Sequence, residues 1–166
     1  MELRTYVPSD CPVLAELFRD TVHTVTRRDY TAAQRAAWAG GALDLTAWNR
    51  SFLAHHTLVA LEDGVVAGFG DLDPSAGYLD RLYVHRDFQR RGIASALCDA
   101  LEGAVSGERV ATHASITAKP FFLRRGYQVL REQQVLRHGV ALTNFAMEKP
   151  LAGAPCGFPV APCRKV

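Results

Sequence analysis

At 166 residues, 48% hydrophobic and 22% charged, the chain has the size and composition of about one soluble globular domain, the usual length being ~150 residues. Nineteen basic residues against seventeen acidic leave a formal charge of +2. That is too small for the long-range attraction of a nucleic-acid binder, and no apolar run approaches the ~18 residues that cross a bilayer.

The opening residues, MELRTYVPSD, lack the basic start and apolar segment of a secretory signal, so a cytoplasmic location is expected. Leu3, Thr5 and Val7 alternate with Glu2, Arg4 and Tyr6 as a short strand. Ser9 or Asp10 is then expected to cap a helix over Val13, Leu14, Leu17, Phe18 and Val22, with Pro12 in its first turn. Thr31 followed by Gln34 is a capping-box pattern, opening a short helix through Trp38 that Gly40 and Gly41 end. Asp44 reads as the cap of a third helix, with Leu45, Trp48, Phe52 and Leu53 at the spacing of one buried face.

After His55 and His56 the period turns extended. Thr57 to Leu61, the turn Glu62, Asp63, Gly64, and Val65 to Leu72 form a hairpin, and Tyr78 to Val84 the next strand. A helix from about Gly92 to Ala104 places Ile93, Leu97, Ala100, Leu101 and Ala104 on one face. Arg109 to Ile116 is a strand, Ala118 to Arg125 a short helix, and Tyr127 to Leu136 with Val140 to Glu148 a hairpin turning at His138 and Gly139. The expected fold is α/β: a mixed, mostly antiparallel sheet in one domain over residues 1–149, followed by a Pro- and Gly-rich extension, 150–166, of loose order.

Cys11, Cys98, Cys156 and Cys163 have neither zinc-site spacing nor the density of a disulfide scaffold, and no other metal-ligand pattern is present. They read as free thiols, Cys98 as a small core residue, with a Cys156–Cys163 disulfide disfavoured in a reducing compartment.

The stretch YVHRDFQRRGIASALCDALE runs from a strand end through basic residues and one glycine into an amphipathic helix. A helix start has unpartnered N–H groups and partial positive charge, a receptor for phosphate oxygens, and a glycine there lets a bulky anion approach the backbone. Gln89, Arg90 and Arg91 add donors and charge, while Ala94 keeps the next helical position small. No Gly-Lys-Ser/Thr follows and only one glycine occurs in the segment, so neither a P-loop nor a dinucleotide-binding turn is present. Read alone, the stretch is either a diphosphate cradle or a helix with a solvated basic start.

Gln89-Arg90-Arg91-Gly92-Ile93-Ala94 resembles the [Gln/Arg]-x-x-Gly-x-[Gly/Ala] signature of the GCN5-related N-acetyltransferases, the GNAT superfamily, and ASITAKPFFLRRGYQVL resembles the later strand, helix and Gly-Tyr/Phe ending of that superfamily. DYTAAQRAAWA and TNFAMEK are similar to its YafP-like branch. The resemblance implies a GNAT fold of about seven strands with helices on both faces. It implies acetyl-CoA as acetyl donor and direct acylation of a primary amine in a ternary complex. The implied cofactor contacts are Leu82, Tyr83 and Val84, which would pair with the pantetheine arm like an added strand, then Gln89 to Ser95 (the turn and the first helical turn with Ile93, Ala94 and Ser95), Ser115, and Phe121 with Phe122 over the apolar arm. Val84 N–H is the implied donor to the thioester oxygen.

An amine must lose a proton before it attacks, and Asp80, four residues before Val84, is the candidate base; strand alternation places Asp80, Leu82 and Val84 on one face. Its competing reading is a surface carboxylate paired with Arg81 or Arg131. Many relatives use a tyrosine acid where this chain has Phe122, so no essential acid is expected, and Tyr83, Ser115 or Thr117 are the substitutes at hand. His113 reads as a packed histidine, and His55 and His56 as helix-end residues suited to the dipole. The acceptor, a small-molecule amine, is expected near His23, Asp29, Tyr30, Trp38, Trp48 and Asp80, where packing is the competing role of the tryptophans. A non-catalytic acyl-CoA-binding or regulatory module is the alternative function; nucleic acid and membrane partners are not expected, and a homodimer is left open.

Overall fold

The computed structural model describes residues 1–151, so the expectations for Cys156, Cys163 and the rest of the extension lie outside the described residues. In chain order the elements are β1 (Glu2–Thr5), α1 (Cys11–Val25), α2 (Ala32–Ala39), α3 (Leu45–Ala54), β2 (His56–Glu62), β3 (Val65–Asp73), β4 (Tyr78–Val84), α4 (Ile93–Gly103), β5 (Arg109–Ser115), α5 (Lys119–Arg124), β6 (Gln128–Arg137) and β7 (Val140–Pro150). The strands form one seven-stranded sheet in the order β1-β2-β3-β4-β5-β7-β6. Every neighbouring pair is antiparallel except β4 and β5, whose parallel pairing needs the crossover that α4 provides.

Each face of the sheet carries its own core. On one, Ile93, Leu97, Cys98 and Leu101 of α4 pack on Ala67, Leu72, Leu79 and Val84. On the other, Leu14, Leu17, Phe18 and Val22 of α1 and Phe52 of α3 pack on Val59 and Phe69. Gly70 lets α4 lie close, since a Cβ there would stand 2.9 Å from Leu101 Cδ1. Cys11 and Cys98 are buried free thiols.

Helix ends follow their local chemistry. Thr31 Oγ1 accepts from Gln34 N at 3.2 Å while Gln34 Oε1 accepts from Thr31 N at 2.9 Å, a closed capping box, and Asp44 Oδ1 accepts from Ala47 N at 3.0 Å. His138 and Gly139 both have positive φ, +48° and +77°, as a two-residue hairpin turn requires.

Four readings of the helices are corrected. Asp10 precedes α1 but makes no capping bond to it; its carboxylate is held by Arg4 at 2.7 and 2.8 Å and by Val7 N at 2.9 Å. Val13 is 50% exposed, and Leu45 and Leu53 are 41% and 60% exposed, so α3 buries Phe52 and half-buries Trp48. In α4, Ala100 and Ala104 face solvent and Cys98 takes the core position. Short helices touch the sheet along a narrow stripe, which spacing alone draws too wide.

Candidate active site

Strands β4 and β5 pair only at Tyr78 with Ala111 and Leu79 with Thr112, then part. His85 N–H donates to Ala67 C=O at 2.8 Å, and bonded pairs alternate along an antiparallel ladder. Tyr83 opposite Phe69 is therefore also bonded to β3, whereas Leu82 and Val84 direct their main-chain groups away from β3 into the widening gap. The Val84 carbonyl is filled by Gln89 Nε2 at 2.6 Å and Thr21 Oγ1 at 3.3 Å. The Val84 N–H faces the gap.

The gap continues into a cleft of about 420 Å³ that reaches the start of α4. Gly92 is the helix cap with φ +82°, and Arg90 before it has φ +64°. Glycine at the cap has no side chain to offer, so the first N–H groups of α4 are left without a side-chain partner beside the cleft. Arg90, Gly92, Ala94 and Ser95 line it. Ile93 also borders the cleft, but its side chain is buried at 1% exposure, so only its backbone is available there.

The structure brings together most of the sequence-expected cofactor positions: Leu82, Tyr83, Val84, Gln89, Ser115, Phe121 and Phe122 all border the same cleft. Two basic-turn residues serve otherwise than expected. Gln89 spends its amide on Val84, and the Arg91 guanidinium lies 5.1 Å over the Phe88 ring, off the cleft lining. Phe122 is 3% exposed and stacks edge-on to Phe121 and Tyr127. Ser115 Oγ accepts from Ala118 N at 3.0 Å, and Thr117 Oγ1 donates to Asp29 at 2.6 Å. Burial raises the Tyr83 phenol well above its ordinary range, making it a poor proton donor.

Asp80 also lines the cleft, but not on the face shared by Leu82 and Val84. The register passes from Asp71–Arg81 to Leu72–Leu79, so Asp80 is the extra residue of a β-bulge and breaks the alternation. Its carboxylate is turned to the helical α1–α3 side, 3.4 Å from Arg81 Nη2, with 40% of the side chain exposed. Desolvation, reinforced by the charge of Asp71, raises its proton affinity above the ordinary aspartate value.

Behind Asp80 stands a group absent from the sequence reading. Asp71, fully buried, accepts from Arg81 Nε and Nη2 at 2.8 Å each and from His55 Nδ1 at 2.6 Å. Arg81 also donates to Ser51 Oγ, and its guanidinium lies 4.3 Å over Phe52 and 5.1 Å over Trp48. His55 is raised above its ordinary value chiefly by this hydrogen bond to Asp71. A carboxylate inside the apolar run VVAGFGDL was the available signal.

Of the expected acceptor residues, Trp38 borders the cleft and stacks edge-on to Tyr30 at 5.3 Å. Tyr30 does not line it: the hydroxyl donates to Thr143 C=O at 2.6 Å and accepts from Ile116 N at 2.9 Å, tying the loop after α1 to β5 and β7. His23 lies on α1 outside the lining, and Trp48 packs against Phe18 and Phe52. His113 is exposed at the cleft wall, edge-on to Tyr78 at 5.4 Å.

The family model of the acetyltransferase (GNAT) domain matches residues 26–149. The chain belongs to the GNAT acetyltransferases. As such it is an acyltransferase. This GNAT chain is 34% identical over 147 residues to the N-acetyltransferase YafP of Escherichia coli strain K12, covering 89% of this chain and 94% of that one, in keeping with a YafP-like branch. A GCN5-related N-acetyltransferase from Rhodopseudomonas palustris superposes with a TM-score of 0.85 at 35% identity, over 90% of this chain and 95% of that one. The PaiA N-acetyltransferase of Thermoplasma acidophilum, solved with coenzyme A, has the same fold at 17% identity and a TM-score of 0.73, over 90% and 98% of the two chains.

Proposed function

We propose that the protein transfers an acetyl group from acetyl-CoA to a primary amine of a small-molecule acceptor by direct attack in a ternary complex. The observation that carries this reading is the Val84 N–H facing an open gap between β4 and β5, with the Asp80 carboxylate in the wall of the same cleft. The fit to acetyl-CoA rests on donor chemistry. Main-chain N–H groups at the start of α4 and the Arg90 side chain suit a diphosphate, while Leu82 and Val84 offer a strand edge to the amides of a pantetheine arm. Acetyl-CoA supplies the activated acetyl thioester.

Asp80 takes a proton from the ammonium of the acceptor, directly or through a water, and the freed amine nitrogen bonds to the thioester carbon. Val84 N–H donates to the oxygen as negative charge builds there, where a fixed donor acts most strongly. The bonded nitrogen gives up its second proton to solvent, and the C–S bond then breaks, leaving the neutral amide and the CoA thiolate. A thiol of this kind has a pKa near ~8.5, so the thiolate leaves without a strong acid, in keeping with Phe122 where relatives place a tyrosine.

Trp38, Asp80, Thr112 and His113 line the same cleft and are the side chains assigned here to a small acceptor. Incubation with acetyl-CoA and a panel of primary amines, with free thiol as readout, tests the reading. Thiol release that depends on an amine and matches the amide formed is the expected result. Tight acetyl-CoA binding with no amine-dependent release would overturn it.

A further inference from the structure

Asp71 is the most conspicuous polar residue of the fold not used by the mechanism above. Its strand is otherwise apolar where it crosses the core, and it has no solvent exposure. Burying a carboxylate and a guanidinium costs each of them its hydration, and a buried ion pair is commonly no more stabilising than well-packed apolar side chains. Stability alone is therefore a weak reason for Asp71 to stand here. Its location supplies a stronger one. Arg81, gripped on two nitrogens by Asp71, is the residue directly after the bulged Asp80 and the one whose Nη2 lies 3.4 Å from the Asp80 carboxylate.

The geometry points to Asp71 as a positioning residue for acetyl transfer: by clamping Arg81 in a two-point ion pair it fixes the bulge and holds the Asp80 carboxylate in the cleft wall. This deepens the role given to Asp80 under the proposed function and rests on it. Three further contacts make the clamp rigid: the stacking of the guanidinium over Phe52 and Trp48 and its donation to Ser51. The planar fork of arginine is what allows the two-point grip, which a lysine could not reproduce.

The clamp also carries a sign that can be measured. The charged groups facing Asp80 are Asp71 on β3, Arg81 beside it on β4, His55 at the end of α3 and Arg137 on β6. Asp71 makes protonation of Asp80 easier; Arg81, His55 and Arg137 make it harder. Removing the Asp71 charge while keeping its shape therefore lowers the Asp80 pKa, and frees Arg81 to pair more closely with it. Removing the His55 cation raises the Asp80 pKa. An uncharged residue that merely filled the core at position 71 would leave the Asp80 titration unchanged on substitution.

The test uses the full chain with Asp71→Asn and His55→Gln, the second at a partly exposed side chain. Titration of the Asp80 carboxyl by ¹³C NMR, assigned with Asp80→Asn, reads the effect without reference to turnover. The expected result is a downward shift in Asp71→Asn and an upward shift in His55→Gln. With an amine acceptor, Asp71→Asn should lower kcat by about tenfold to a hundredfold, the range for a displaced reacting group, with the KM for acetyl-CoA unchanged. Arg81→Lys should lose kcat as well, since it keeps the charge but not the fork.

Unmoved Asp80 titration in both variants would overturn the proposal, whatever happens to activity. Should Asp71→Asn fail to fold, an unshifted titration in His55→Gln together with full kcat in Arg81→Lys would overturn it equally. Opposite shifts in a parent that acetylates no amine would instead sink the role of Asp80 as base, and the positioning role with it.

Discussion

Gln89 Nε2 donates to the Val84 carbonyl at 2.6 Å, so the residue that opens the basic turn is tied to the strand end that borders the β4–β5 gap. The bond fixes the last peptide of β4 and sets the distance between the start of α4 and the gap. It links the two halves of the cleft. Gln89→Leu should cost about 1 kcal/mol of stability, the worth of one hydrogen bond, with Thr21 still at 3.3 Å from the same carbonyl. Its larger effect should fall on kcat, because the Val84 N–H loses its fixed aim, and steady-state kinetics separating kcat from KM would show it.

Gly92→Glu should raise the Kd for acetyl-CoA by at least about a hundredfold, through bulk and like charge against a diphosphate at a helix start. A Cβ at Gly92 meets nothing within 4 Å, so the apo fold has room for a side chain and the backbone at φ +82° supplies the strain. Gly92→Asn, which tolerates that backbone, should bind more weakly than the parent but far better than Gly92→Glu. Isothermal titration calorimetry on the three proteins orders them.

The raised proton affinity of Asp80 predicts an acidic limb of kcat/KM above the ~3.9 of an ordinary aspartate, and Asp80→Asn should remove that limb along with most of the turnover. The stability effect has the opposite sign. A carboxyl whose folded pKa exceeds its unfolded value contributes stability below the unfolded pKa and loses it as pH rises through the folded one. Asp80→Asn should therefore melt higher than the parent at pH 7, with the gap narrowing as pH falls toward ~4. Thermal melts at a series of pH values check it.

The buried Glu102 gathers Lys149 at 2.6 Å, Tyr127 at 3.0 Å and Arg125 at 3.1 Å, joining α4 to β7 and to the segment between α5 and β6. Glu102→Leu takes a partner from Lys149 and from Arg125, which keeps Asp99 at 2.7 Å, and should cost at most about 3 kcal/mol in urea unfolding, since breaking one side of a buried ion pair leaves the other desolvated. Acetyl-CoA affinity should change little, because none of these side chains borders the cleft.

The parts of this fold that rest on local chemistry were legible in the sequence. Thr31 with Gln34, Asp44, and the His138-Gly139 turn declare themselves within four residues, and the basic turn before Gly92 marked the cleft. What alternation could not give was the bulge at Asp80. One extra residue on β4 changes the face of a side chain without changing any residue type, so periodicity carries no trace of it. The same limit hid the clamp: Asp71, His55 and Arg81 meet only because β3, β4 and the end of α3 converge. Tyr30 looked like a substrate contact because aromatic residues serve both packing and recognition, and only its two hydrogen bonds decide between them.

A crystal structure with acetyl-CoA, or an unreactive thioether of it, tests the central claim most directly. The account predicts the diphosphate against the main-chain N–H groups that open α4, the pantetheine arm between β4 and β5, and the acetyl oxygen within hydrogen-bond distance of Val84 N. Nucleotide density anywhere else, with that gap still open, would contradict it.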